Sequence, residues 1–251
     1  MSGPSAGLGA GPGFGPGFDP GFDPDFDPDD DRHRALDAAD PWAMSLVVRV
    51  ERADPPAHTA VLAAAARAVA ALLTDPRVTE PDGELRAAVQ RWRDGRIRKI
   101  ARRARGARWE RTGAVPHAEA AVAGAVVRAF APHPRDAAPG ELATLQVGGL
   151  DLADPAGWTP PVVPASALTV RLTPGVAMTT GKAAAQVGHA AQLALEQLDP
   201  AVVAAWRAGG LAVRVVTGAP ALPPGERVEV ADGGYTEVAP GTVTASAGFE
   251  G

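Results

Sequence analysis

Cysteine is absent from this chain, which excludes disulfides, thiolate metal sites and cysteine nucleophiles. Lysine is almost absent, with two residues against twenty-two arginines, so each lysine departs from the chain's own habit. Aromatic residues are scarce at 5%, although the hydrophobic fraction reaches 46%. Alanine supplies much of that fraction, so helices must pack closely through small side chains. No stretch approaches the roughly twenty apolar residues of a membrane helix. The first forty residues lack the charged and apolar regions of a secretion signal, and a cytoplasmic protein with no membrane partner is expected. The five histidines show no ligand spacing, so neither a metal nor another cofactor is expected.

The 251 residues suit one or two domains and a tail. In residues 1–40, Phe14, Phe18, Phe22 and Phe26 recur in a Gly, Pro and Asp background that opposes helix and sheet alike, and the segment reads as disordered. Residues 41–150 read as an α/β unit: SLVVRV is a strand, Asp54-Pro55-Pro56 a turn, and residues 57–74 a long helix. Four prolines mark 151–166 as a linker. A second unit, 167–251, repeats the order with LTVRL at 168–172, a loop and a helix, then ends in two strands joined by glycine turns. Trp92 in WRDGR and Trp206 in WRAGG each follow a long helix, which suggests two diverged copies of one unit. Thr59 and Ala63 then stand where the second copy has Lys182 and Gln186, so the second copy carries the chemistry.

That chemistry centres on MTTGKAAAQVGHAAQLALEQL. Thr179 or Thr180 caps the helix, which places Lys182 in the first turn, where a cation opposes the macrodipole by roughly 0.3 to 1 kcal/mol. A broken local rule often marks a site. Lys182, Gln186 and His189 share one helical face, while Ala184, Val187, Ala191 and Leu198 fall on another. A phosphate-binding P-loop does not fit, because five residues rather than four separate Gly175 from Gly181 and Ala183 replaces the required hydroxyl.

Charge is distributed unevenly. Residues 86–111 hold eleven of the 24 basic residues against Asp94 and Glu110, a local +9 within a total of −5. Such a segment, with Arg96, Arg98, Lys99, Arg102, Arg103 and Arg105 at its centre, suits a phosphate-rich partner. Ile97, Ile100, Ala101 and Ala104 recur at helical spacing, so 96–111 is read as a basic helix, and an ordinary solvated helix face remains the competing account.

Two separated motifs resemble the type-two peptidyl-tRNA hydrolase family: Gly181-Lys182-Ala183-Ala184-Ala185-Gln186 with His189-Ala190, then Asp232-Gly233-Gly234-Tyr235-Thr236 followed by Ala239-Pro240-Gly241-Thr242-Val243-Thr244. The resemblance covers residues 167–251. It implies a mixed-sheet, three-layer α/β unit that hydrolyses the ester of peptidyl-tRNA. The first copy would then support the second as an intramolecular pseudo-dimer, with a homodimer as the alternative. The implied catalytic residues are Lys182, Gln186, His189, Asp232, Thr236 and Thr244. In that family a second lysine stands at Thr180 and an arginine at Tyr235, so two positive charges are missing here. The competing expectation is an inactive relative that binds tRNA through 86–111.

Overall fold

The computed structural model describes residues 38–220, 222, 227–233 and 237–250, so most of the tail, together with Tyr235 and Thr236, lies outside the described residues. The chain is α/β with two mixed sheets. The first half contains β1 (Trp42–Arg49), α1 (His58–Leu73), α2 (Pro76–Thr79), α3 (Arg86–Arg93), β2 (Lys99–Ala104), α4 (Gly106–Thr112), β3 (His117–Val122), β4 (Ala125–Phe130), β5 (His133–Pro134), α5 (Gly140–Ala143) and β6 (Gln146–Val147). The second contains β7 (Leu168–Leu172), α6 (Thr180–Gln197), α7 (Pro200–Ala208), β8 (Val213–Val216), β9 (Arg227–Ala231) and β10 (Val243–Phe249).

In the first sheet the strands lie in the order β3-β4-β1-β2-β6, and in the second β8-β7-β10-β9. In each half, the opening strand pairs in parallel with the strand that follows its helices, β2 or β8. On its other side it pairs antiparallel with β4 or β10, and β3 or β9 lies beyond. The tryptophans occupy matching places. Trp92 donates to the Arg98 carbonyl at 3.0 Å and Trp206 to the Ala212 carbonyl at 2.8 Å, each six residues onward. Both are fully buried. Each ring therefore fills core space while its N–H ties down the turn before a parallel strand.

Helix α1 is apolar nearly all round, with 13 buried residues among its 16, because it is enclosed by β3, β4, β8 and α6. Ala57 offers it no side-chain cap. Asp154, from the Pro-rich segment expected to be a linker, supplies one by accepting from the Thr59 N–H at 2.9 Å and the Thr59 hydroxyl at 3.0 Å. Trp158 also donates to that hydroxyl at 2.8 Å. One core cluster runs through both halves and includes Leu46, Val61 and Trp92 with Leu168, Ala184, Trp206 and Val230.

The expected basic helix at 96–111 is corrected to strand β2 followed by the short helix α4. Pairing with β1 from Met44–Lys99 to Arg49–Ala104 decides the conformation. The inward positions of this strand carry cations, so it has no apolar alternation to reveal it. Arg102 is buried, donates to the Leu145 carbonyl at 3.3 Å and the Ser45 hydroxyl at 3.4 Å, and has its pKa lowered by burial. Among the described residues, no helix is long and apolar enough to cross a membrane.

Candidate functional site

Strands β7, β8 and β9 point the same way, because β10 runs antiparallel to both β7 and β9. Their carboxyl ends share one edge of the sheet with the start of α6. Open α/β sheets commonly bind ligands at that edge. Thr179 is the N-cap of α6, and its hydroxyl accepts from the Lys182 N–H at 3.3 Å. Glu237 bonds the other side of the cap, accepting from the Thr179 N–H at 2.8 Å and the Thr179 hydroxyl at 2.7 Å.

Asp232 follows β9 and is held by its backbone: its N–H donates to the Thr242 carbonyl at 2.9 Å, and its own carbonyl accepts from Gly241 at 2.7 Å. Gly241 adopts φ +77°, a left-handed conformation that glycine reaches without strain. The loop thereby aims the Asp232 carboxylate at the first turns of α6. Lys182 Nζ forms an ion pair with Asp232 Oδ2, and Gln186 Nε2 donates to the same oxygen at 2.5 Å. The carboxylate is only 4% exposed and the lysine side chain 12%. Removing either partner from a charge so buried is costly, because the other would remain without compensation. Gln186 is buried as well, and its Oε1 has no partner among the described residues. The site thus combines a cation, a carboxylate and an unused acceptor.

Three of the six expected catalytic residues, Lys182, Gln186 and Asp232, converge directly. His189 lies further along the same face and meets Lys99 instead, at 3.1 Å between Nζ and Nδ1. Burial and the charges of Lys99 and Lys182 lower its pKa well below the usual range, so the ring is neutral near pH 7. Thr244 is fully buried and donates to the Val230 carbonyl at 3.1 Å, two residues before Asp232. Thr236 lies outside the described residues. The other expected face of α6 is buried as read, with Ala184, Val187 and Ala191 fully enclosed and Leu198 nearly so.

The six cations expected to contact tRNA separate by burial. Lys99 and Arg102 are interior, Arg96, Arg98 and Arg103 are half-buried, and Arg105 is exposed. Thr180, the position at which the resemblance expects a second lysine, is fully buried between the halves. Its hydroxyl donates to or accepts from His58 Nδ1 at 2.9 Å and accepts from the Leu152 N–H at 2.8 Å. A lysine there would put a second charge into the contact between halves.

Two residues of this region escape a reading by motif. Glu237 carries no local signal. Gln192 lies three residues beyond His189, so extending the polar face by one more turn would have included it. Comparison with family models, with characterised proteins and with solved structures found no match.

Proposed function

We propose that the chain hydrolyses the ester joining a peptide to the terminal ribose of tRNA, with its site at the start of α6. The observation that carries this reading is the convergence of Lys182, Gln186 and Asp232, drawn from two motifs 46 or more residues apart, around one buried carboxylate. Water attacks the ester carbonyl, the bond to the ribose oxygen breaks, and that oxygen takes up a proton as the peptide leaves as a carboxylic acid. Asp232 and Gln186 Oε1 are acceptors that orient the water. The Lys182 ammonium and the N–H groups opening α6 favour the developing oxyanion or a neighbouring phosphate. An apolar cavity of about 320 Å³ on the same edge, lined by Leu172, Val176, Met178, Ala183 and His58 among others, would suit the last side chain of the peptide.

The fold expectation joins this proposal. The matching strand orders and tryptophan turns support two diverged copies of a type-two peptidyl-tRNA hydrolase-like unit, joined as an intramolecular pseudo-dimer. Thr59 stands in the first copy at the place of Lys182, with its N–H and hydroxyl bound to Asp154. The first copy also returns positive charge to the rim. Arg103 donates to Gln146 at 2.7 Å, beside the Gly149–Leu150 segment whose Leu150 carbonyl accepts from Gly181.

The test is single-turnover deacylation of an N-blocked aminoacyl-tRNA by the wild-type chain, Lys182→Ala and Asp232→Asn. Hydrolysis by wild type and its loss in both variants supports the reading. The exposure of Arg105, Arg108 and Arg111 around α4 favours a second reading, an inactive tRNA-binding relative. Wild-type binding without hydrolysis would select it.

A further inference from the structure

The second lysine of the chain explains a contact that hydrolysis alone does not require. Lys99 leaves β2 of the first half and ends against the polar face of α6 in the second. Its residue is 8% exposed. An ammonium has three hydrogens to place and no lone pair, and three acceptors surround this one. They are Gln192 Oε1 at 2.6 Å, His189 Nδ1 at 3.1 Å and the face of the Trp92 ring, whose centroid is 4.8 Å away. Gln192 is anchored in turn, donating to Glu196 at 3.2 Å, and Glu196 pairs with Arg93 of α3 at 3.0 Å. Gly188 makes room for the lysine stem, since a Cβ there would stand 3.1 Å from Lys99 Cδ.

We propose that Lys99 is a positioning residue, supplied by the first half, that holds the His189 ring as its Nε2–H tautomer on the face shared with Lys182 and Gln186. Below about pH 7, where Lys99 is an ammonium, it can only donate, so Nδ1 must accept and the proton of the neutral ring must sit on Nε2. The charged groups that act on the ring are Lys99 from β2 and Lys182 from α6, and Glu196 of α6 and Arg93 of α3 act in turn on Lys99. Both lysines of an arginine-rich chain therefore serve one helix face. A compact tripod of hydrogens fits such a cage, whereas the flat fork of an arginine does not. The part of this inference that concerns turnover rests on the proposed hydrolase reading.

Ring ¹⁵N shifts of the full chain, assigned with His189→Gln, test the tautomer without any tRNA. Below about pH 7, with Lys99 charged, wild type should show Nε2 protonated and Nδ1 bare, and Lys99→Met should lose that preference. A wild-type ring protonated on Nδ1, or an unchanged ring in Lys99→Met, overturns the proposal. The first of these does not depend on Lys99→Met folding. In single-turnover assays, Lys99→Met should lower the rate at saturation by about tenfold or more with little change in KM. It should cost nothing further in a His189→Gln background, because both changes remove one function. Additive losses would show that Lys99 does not act through His189. An inactive wild-type chain would sink the hydrolase reading alone, and the ring measurement would still decide the place of Lys99.

Discussion

A buried charge must be matched where it sits, and the two lysines meet that requirement differently. Lys182 faces a carboxylate, while Lys99 faces an amide oxygen, an imidazole nitrogen and a ring. At Lys182 the compact ammonium is the point. Lys182→Arg keeps the charge and should still lower single-turnover deacylation by about tenfold or more, because a guanidinium cannot take the same place beside Asp232. Near-wild-type turnover would remove the role assigned to Lys182. Lys182 and Gln186 were legible because motif and helical spacing both pointed to them. Lys99 was not, although its rarity is the same, since a cation amid ten neighbouring cations reads as surface.

Among the elements, α6 and β2 set the site's second wall. They run in opposite directions, with Gly181 against Ala101 and Gly188 against Lys99. A Cβ at Gly188 would also come within 3.2 Å of Val69 on α1, so this glycine sits where three elements meet. Gly188→Leu should destabilise the fold by about 1–3 kcal/mol through overpacking, seen as a lower urea midpoint. An unchanged midpoint would mean that the three elements can part without cost. Strands β1, β7, β9 and β10 were legible in their β-branched and alternating runs, as was α6 in its cap and period. Strand β2 was not, since Lys99, Arg102 and Ala104 are the positions it buries and no hydropathy pattern announces two buried cations.

For the whole molecule, the core passes through both halves, and α1 lies between them. The chain from β1 to β10 should therefore unfold as one unit. Single-tryptophan variants that keep only Trp92 or only Trp206 should report the same denaturant midpoint, and two separated transitions would refute a shared core. The contact between halves should also respond to pH. Burial lowers the Lys99 pKa from its ordinary 10.5 to about 7, against the pull of Glu196. Between those values the unfolded chain binds a proton that the folded chain lacks, so stability should rise as pH increases through that window. Below about 7 both states are charged and Lys99 adds no slope. Lys99→Met should flatten the rise, and an equal slope in the variant would assign it to other groups.

Sequence by itself determined the α/β class, the strand-then-helix opening of each half, the matching tryptophan beyond each long helix and the face of α6 that carries Lys182, Gln186 and His189. These follow from local rules, in which period, caps and turn residues act within a few positions of one another. Only the tertiary structure decided that Asp232 reaches Lys182, that Asp154 caps α1 from 95 residues away, and that a basic segment becomes a buried strand. Each depends on which distant groups come to share a low-dielectric interior. Desolvation there makes an unmatched charge or N–H costly, and so selects partners that no local pattern names.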